Sequence, residues 1–215
     1  MAVRLVLFGR QGAGKGTQSA RLSAHYGAPH ISTGDMLRAA VANATPIGLE
    51  AKSYMDSGRL VPDEVMLGVV DERFAEPDVV DHGFLLDGFP RTVVQAEALG
   101  RFATIDVAVD LQVPEDVVLE RISSRRVCSN CGRIYSTEAP PSTNWTCDTC
   151  GGEVVQRADD TPEAVAKRLA AYADETQPTI DWYAGTGVLV AVDGLGTPEE
   201  VTARLIAAID ARLAG

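Results

Sequence analysis

Apolar residues in this chain occur in short runs that alternate with stretches of helical spacing. The runs are rich in aliphatic side chains and predict buried strands over residues 3–8, 28–31, 83–88, 105–113 and 188–192. Apolar residues three or four apart predict helices over residues 18–26, 33–41, up to 56, 63–74, 92–102, 114–125 and 198–213, with a long helix from 161 that kinks or ends near Pro178.

Strand and helix alternate through most of the chain, which predicts an α/β fold with a parallel sheet and helices on both faces. Residues 127–155 interrupt this alternation. They contain all four cysteines, two adjacent prolines and little helical signal. We therefore expect a small inserted subdomain at this point.

The length of 215 residues fits one compact domain with small inserts. A composition of 46% hydrophobic and 23% charged residues argues against a disordered or disulfide-dense chain. The net charge of -11 argues against a nucleic-acid partner, since binding that backbone needs a large basic surface. All but three of the 19 basic residues are arginines, whose forked guanidinium groups suit phosphate.

No apolar stretch approaches the roughly 20 residues of a membrane-spanning helix, and the first eight residues lack the pattern of a signal peptide. We therefore expect a cytoplasmic protein without a membrane partner. In a reducing compartment, four cysteines favour a metal site or free thiols over disulfides.

A glycine-rich segment between the first predicted strand and helix reads Gly9-Arg10-Gln11-Gly12-Ala13-Gly14-Lys15-Gly16-Thr17. It fits the phosphate-loop pattern G-x-x-x-x-G-K. Its glycines let backbone N–H groups surround phosphate oxygens at a helix N-terminus, and Lys15 reaches the β- and γ-phosphates. Gly16 stands where the pattern has Ser or Thr, so the hydroxyl expected on magnesium moves to Thr17. The alternative is a glycine-rich turn with no ligand.

Asp87 stands at the end of the predicted strand 83–88 and is followed by Gly88-Phe89-Pro90-Arg91. Ligands of open parallel sheets bind at the carboxyl ends of the strands, so Asp87 can hold waters on Mg²⁺. Pro90 fixes the loop that presents Arg91. The alternative for Asp87 is a cap on the next helix. The segment from Ile31 to Arg38, taken alone, indicates only the start of an amphipathic helix.

The cysteines form two C-x-x-C pairs fifteen residues apart, Cys128 with Cys131 and Cys147 with Cys150. This spacing matches a tetrahedral structural zinc site. Four thiolates leave no open coordination position, so zinc is expected to fold the insert rather than to catalyse. The alternatives are two disulfides, a redox dithiol or a ribbon that binds nucleic acid.

Arginines lie on both sides of this insert: Arg121, Arg125 and Arg126 before it, Arg157 and Arg168 after it. The usual role of such residues is a solvated helix face. Their placement is more suggestive here, because a few arginines aimed inward can make a positive site in a negative protein.

Together these motifs resemble the bacterial adenylate kinases of the long type, which carry a zinc-bearing lid and belong to the nucleoside monophosphate kinases. The likeness covers essentially the whole chain in the same order and spacing. It rests on GAGKGTQ at 12–18, ISTGDMLR at 31–38, GRLVPDE at 58–64, FLLDGFPRT at 84–92, Arg125-Arg126-Val127, the four cysteines, and RADD with KRL within 157–169.

The resemblance implies reversible, Mg²⁺-dependent transfer of the terminal phosphoryl group of ATP to AMP, giving two ADP. For ATP it implies Gly12, Ala13, Gly14, Lys15, Gly16, Thr17, Arg121 and Arg125, with backbone help near Ile134, Tyr135 and Gly196. For AMP it implies Thr33, Arg38, Arg59, Leu60, Val61, Gly88, Phe89, Pro90, Arg91, Gln95, Arg157 and Arg168. The groups implied in catalysis are Lys15, Arg38, Arg91, Arg125, Arg157 and Arg168, with Asp87 on magnesium waters and Asp159 in lid closure.

The fold that the resemblance implies is a P-loop NTPase-type sheet of five parallel strands. Its core spans 1–31, 62–123 and 162–215, with an AMP-binding helical insert at 32–61, a zinc-ribbon-like lid at 124–161, and a monomeric state. Gln11 replaces the family's usual Pro, from which we expect no change of ligand. His25, His30 and His82 have no motif partner and are interpreted as structural. The alternatives are a UMP/CMP kinase of the same fold and a non-enzymatic zinc-ribbon module.

Overall fold

A computed structural model describes residues 2–157 and 159–214 of the chain. A five-stranded sheet forms the centre of the molecule, and its paired strands are all parallel. The strands are β1 (Val3–Phe8), β2 (His30–Ser32), β3 (Gly83–Asp87), β4 (Val107–Gln112) and, last in the chain, β8 (Leu189–Asp193). Their order across the sheet is β2-β3-β1-β4-β8. The predicted α/β fold with a parallel sheet is therefore confirmed.

The helices are α1 (Lys15–Tyr26), α2 (Thr33–Ala42), α3 (Pro46–Ser57), α4 (Asp63–Phe74), α5 (Pro77–His82), α6 (Val93–Phe102), α7 (Glu115–Ser124), α8 (Pro162–Ala171), α9 (Gln177–Thr186) and α10 (Pro198–Leu213). Capping side chains mark where several of these helices begin. The hydroxyl of Ser32 accepts from the N–H of Asp35 at the start of α2, and Thr197 and Glu200 form a reciprocal capping box at the start of α10. None of the helices in the described parts of the chain is long and apolar enough to cross a membrane.

The two faces of the sheet are covered by separate apolar clusters. Successive side chains of a strand point to opposite faces, so Val6 and Phe8 of β1 join one cluster while Leu5 and Leu7 join the other. The first cluster includes Leu37 of α2 and buried residues of α4, α6 and α9. The second is closed by residues of α1, α7 and α10.

A second, smaller sheet occupies part of the segment between α7 and α8. Its strands are β5 (Arg125–Cys128), β6 (Ile134–Ser136) and β7 (Val154–Val155), in the antiparallel order β6-β5-β7. A third apolar cluster lies here, formed by Cys128, Tyr135, Cys147 and Val154. It shares no residue with the two clusters of the main sheet.

Several predicted element bounds differ from the structure by one to three residues, and one helix was missed. Helix α1 starts at Lys15, three residues earlier than predicted, because the glycine turn leads directly into it. The helix predicted to reach Arg125 ends at Ser124, since Arg125 takes an extended conformation and pairs with Ser136. Helix α5 was not predicted. The expected kink near Pro178 is a π-helical turn at Tyr172–Thr176, after which Pro178 lies in the first turn of α9.

Candidate active site

The phosphate-loop segment connects β1 to α1 at the carboxyl end of the central strand. Gly14 caps α1 in the left-handed conformation, with φ at +101°, and Lys15 is the first residue of the helix. The N–H of Ala13 donates to the carbonyl of Arg10 at 3.0 Å, which closes the turn. This is the arrangement in which backbone N–H groups and a helix N-terminus attract an anion.

Lys15 points back into its own loop. Its Nζ donates to the carbonyl oxygens of Gly9 at 2.7 Å and Arg10 at 3.2 Å. Burial, helped by the nearby charges of Arg91 and Arg125 and opposed by Asp87, lowers the pKa of Lys15 to about 8. Three of the predicted cations therefore lie close enough to one another to oppose the charge on Lys15.

Asp87 ends β3 beside β1, where it is paired with Leu7 in the parallel register. Burial alone would raise the pKa of Asp87, but its contact with His30 and the charge of Lys15 outweigh burial and hold that pKa below its ordinary value. Its Oδ2 lies 3.5 Å from Nε2 of His30. Asp87 is thus an ionised carboxylate at the strand end, as a residue that orders magnesium waters must be.

Arginines from separate segments converge on the same region. Burial lowers the pKa of Arg91, and the charges of Arg168 and Arg38 lower it further, while Asp87 opposes them. Burial also lowers the pKa of Arg157 to about 10, again helped by Arg38 and by Arg125. Such mutual repulsion is unfavourable unless an anion occupies the space between the cations.

Carboxylates hold several of these arginines in place. Arg125 donates from Nε to Oδ2 of Asp160 at 2.8 Å and contacts the other carboxylate oxygen through Nη2. Arg168 pairs with Asp159, and Arg38 pairs with Asp35. Of the RADD segment, Ala158 lies outside the described residues.

Gln11, the residue that departs from the resembled pattern, has a specific contact. Its Nε2 donates to Oδ1 of Asp160 at 3.0 Å, which joins the phosphate loop to the carboxylate that holds Arg125. A proline at this position has no side-chain donor. The side chain of Asp160 is fully buried, so this bond lies away from water.

Arg121 lies between the phosphate loop and the loop after β8. Its two terminal nitrogens donate to the carbonyl oxygens of Ala13 at 3.2 Å and Gly194 at 3.3 Å. Ile134 of β6 approaches from the other side, with its Cδ1 3.2 Å from where a Cβ on Gly16 would stand. Gly16 therefore permits the small sheet to contact the start of α1. The side chain of Tyr135 points elsewhere, since its hydroxyl donates to Sγ of Cys147 at 3.4 Å.

The residues predicted to bind AMP fall into two groups, one that lines a cavity and one that meets at Gly88. Arg59, Leu60 and Val61, in the connection between α3 and α4, line a cavity of about 570 Å³ together with Thr92 and residues of α8. Thr33 Oγ1 and Arg91 Nε both donate to the carbonyl of Gly88, at 3.0 and 2.7 Å.

Three other predicted AMP residues are buried. The side chain of Phe89 packs in the first apolar cluster, so only its backbone is available to a ligand. Pro90 is buried as well. Gln95 is also buried, and its side chain bonds to the backbone of Arg91 and to Asp63.

The four cysteines come together in the small sheet. Their sulfur atoms all lie within 4.8 Å of one another, and two pairs, Cys128 with Cys150 and Cys131 with Cys147, are 3.5 and 3.6 Å apart. These distances exclude disulfides, in which the sulfurs are about 2.05 Å apart. Four sulfurs at about 2.3 Å from a tetrahedral ion lie about 3.8 Å from one another. The cluster therefore fits a metal ion bound by four thiolates.

Sequence reasoning missed some residues of this region. His30 was interpreted as structural without a partner, whereas it contacts Asp87. Asp160 and Asp63 were not singled out, although each bonds to a predicted site residue. A local sequence motif gives no signal for such contacts, since the partners in these three pairs are 32 to 57 residues apart. Only the folded arrangement brings them together.

Comparison with known proteins shows the family to which this chain belongs. A sequence model described as adenylate kinase matches residues 7–188. An adenylate kinase of Geobacter sp. strain M21 is 50% identical over 97% of this chain and 100% of that protein. One of Thermodesulfovibrio yellowstonii is 50% identical over 93% of this chain and 95% of its own length, and one of Desulfitobacterium hafniense is 52% identical over 89% and 91%. With its phosphate loop and converging arginines, this chain belongs to the adenylate kinase family of phosphotransferases.

Proposed function

We propose that this chain transfers the terminal phosphoryl group of MgATP to AMP, reversibly, to give two ADP. The observation that carries the proposal is the gathering of Lys15 with arginines from separate segments. One of these arginines, Arg91, immediately precedes Thr92, which lines the cavity of about 570 Å³. One anionic nucleotide on the phosphate loop and a second in the cavity would meet at these cations.

ATP is proposed to lie on the phosphate-loop side. The backbone of residues 12–17 and Lys15 would hold its phosphates, and Arg121 would pack against its base near Gly196. Ile134 would cover the nucleotide, since it already contacts Gly16. For Tyr135 only the backbone is proposed to take part, because its side chain is committed to Cys147.

AMP is proposed to occupy the cavity lined by Arg59, Leu60 and Val61. Arg38 and Arg91 would bind its phosphate, and Thr33, Gly88 and Gln95 would lie toward its base and sugar. Arg125, Arg157 and Arg168 would hold the transferring phosphoryl group. Their guanidinium groups are kept close together by Asp35, Asp159 and Asp160.

Phosphoryl transfer needs little covalent chemistry from a protein. It needs the reacting oxygens in line and cations where charge spreads in the transition state. The phosphate of AMP is already nucleophilic, so a general base is not required. Magnesium, when it arrives with ATP, neutralises charge on the β- and γ-phosphates; Asp87 and Thr17 would hold it, which the ionised state of Asp87 supports.

Water must be kept from the phosphoryl group, or ATP would be hydrolysed. We propose that the segment 124–161 acts as the lid that excludes it, with the segment 32–61 closing over AMP. The metal in the lid is proposed to be zinc, because four thiolates in tetrahedral reach are typical of structural zinc. Cytoplasmic location and a monomeric state complete the proposal.

The test is product analysis with purified protein, MgATP and, separately, AMP, UMP, CMP or GMP. We expect diphosphate formation with AMP far above the other acceptors. Lys15→Ala should lower kcat/KM at least about 100-fold, while Lys52→Ala, at an exposed lysine of α3 paired with Asp56, should not. Activity only with UMP or CMP would show that the acceptor is a pyrimidine nucleotide instead of AMP. If folded protein transferred phosphate to none of the four acceptors, the proposal would be refuted.

A further inference from the structure

The amide of Gln95 is held by two groups whose hydrogen-bonding roles cannot be reversed. Its Oε1 accepts from the backbone N–H of Arg91 at 2.8 Å, and its Nε2 donates to Oδ1 of Asp63 at 2.7 Å. A backbone N–H can only donate and a carboxylate can only accept. If the Gln95 amide were rotated by 180°, its NH₂ group would face the N–H of Arg91 and its oxygen would face the carboxylate of Asp63, and both hydrogen bonds would be lost. Gln95 is only 1% exposed, so water cannot replace either partner.

Asp63 is itself fixed by a second hydrogen bond. Its Oδ2 accepts from Oγ1 of Thr92 at 3.1 Å. The same hydroxyl accepts from the N–H of Gln95 at 3.2 Å, as the cap of α6. The hydroxyl proton of Thr92 is thus committed to Asp63. The carboxylate sits on the first residue of α4, where the helix N-terminus favours its negative charge.

This network forms part of the wall of the proposed AMP cavity, since both Asp63 and Thr92 line it. With one N–H committed to Asp63 and one lone pair to Arg91, the Gln95 amide keeps one donor and one acceptor. Their order is set by the same two bonds. If AMP binds as proposed above, with its base toward Gln95, the base would meet a donor and an acceptor in one fixed order only.

We propose that Asp63 is a positioning residue that sets base selectivity in the acceptor site, an inference that rests on the proposed function. Adenine offers an acceptor at N1 beside the donor at its 6-amino group, which complements the Gln95 amide. Hypoxanthine and guanine carry N1–H and a 6-oxo group, so their order is reversed. Cytosine presents the same order of acceptor and amino donor as adenine, and uracil presents the same order of N–H donor and oxo acceptor as guanine. The fixed amide therefore favours amino bases over oxo bases.

The sharpest probe is IMP, because hypoxanthine has the size of adenine and differs only at the hydrogen-bonding edge. Asp63→Asn keeps the shape but can either donate or accept, so it removes one of the two groups that fix Gln95. We expect the ratio of kcat/KM for AMP over IMP to fall about tenfold or more. The KM for ATP should stay unchanged.

Asp71→Asn is the matched control, since it removes the same charge from an exposed position on the same helix. It should leave the AMP-to-IMP ratio as in the wild type. Thr92→Val, which removes the hydroxyl that holds Asp63, should lower the ratio in part, and Thr92→Ser should restore it. These two variants also test the inference if Asp63→Asn does not fold.

The possible outcomes distinguish a failure of this inference from a failure of the proposed kinase activity. A fall in the AMP-to-IMP ratio confined to the Asp63 and Thr92→Val variants supports the positioning role. An equal loss of kcat/KM for AMP and IMP, with the ratio unchanged, overturns it while leaving the kinase assignment intact. A wild-type protein that phosphorylates no nucleoside monophosphate overturns the proposed function and this inference with it.

Discussion

Gly12 shows how closely the phosphate loop is packed against the rest of the molecule. It adopts φ of +84°, which L-residues rarely take. A Cβ at this position would also lie 2.7 Å from Cγ1 of Ile122 and 2.8 Å from the carbonyl of Val118, both on α7. The glycine therefore serves both the turn of the loop and its contact with a neighbouring helix.

Replacing Gly12 by Ala should destabilise the protein for both reasons. The left-handed conformation costs about 1–2 kcal/mol for an L-residue, and overpacking against α7 adds about 1–3 kcal/mol. Gly27→Ala is the matched control, because Gly27 also has a positive φ but has no atom within 4 Å of the added Cβ. Urea unfolding of both variants should separate the two costs. Equal losses of unfolding free energy would show that α7 moves aside.

At the same scale, sequence motifs predicted the cations well and their partners poorly. Lys15, Arg91 and Asp87 lie together as expected, since a phosphate loop and the end of a neighbouring parallel strand meet at one edge of the sheet. The contacts of His30 with Asp87 and of Gln11 with Asp160 could not be predicted. They depend on side-chain reach between residues that the folded backbone brings together.

Elements with clear start or stop residues were predicted within a few residues, and very short elements were not. Strand β1 and helices α4 and α10 have the predicted bounds. A glycine ends the apolar run of β1, and proline or threonine stands at the start of each of the two helices. Helix α5 has six residues, too few for a helical period to be visible. Strands β5 to β7 have two to four residues each and depend on the cysteine cluster rather than on apolar alternation.

We expect the small sheet to depend on a metal ion held by the four cysteines. Its cluster has only four buried side chains, two of them cysteines, which is far less apolar surface than an independent unit of this size needs. In a Trp182→Phe background, Trp145 of this segment is the single tryptophan and reports on it. Removing the metal with a chelator should shift its emission toward the solvent-exposed value, with helical circular dichroism retained.

The control for this experiment is Cys128→Ser, which should show the shifted emission before any chelator is added and should bind less zinc. Metal analysis of each sample gives the occupancy. Unchanged emission from protein shown to be free of metal would mean that the segment folds without it.

For the whole molecule, the apolar clusters indicate how the predicted inserts relate to the core. Leu37, Ala51 and Val61 from the segment 32–61 are buried in the same cluster as Phe84 and Tyr183. The cysteine segment has a cluster of its own. The sequence distinguished the second insert by its composition, but a shared apolar core has no compositional signature. The division into core, AMP-binding insert and lid stays a prediction.

Excising the small sheet should therefore leave the remainder folded. Val127 and Val155 face each other as antiparallel partners, so a short Gly-Ser-Gly link in place of residues 128–154 can join them. We expect a cooperative thermal transition and helical content close to those of the parent, with kinase activity strongly reduced. Loss of the cooperative transition would show that the main sheet needs the segment in order to fold.

From the lowered pKa of Lys15 we expect nucleotide binding to be coupled to the uptake of a proton. With its pKa lowered to about 8, part of the population carries a neutral Lys15 at slightly alkaline pH. A bound triphosphate favours the ammonium and raises that pKa again, so binding near pH 8 takes up a fraction of a proton, about 0.5 at most. Apparent affinity should fall as pH rises through this range. Calorimetric heats of binding should then depend on the ionisation enthalpy of the buffer.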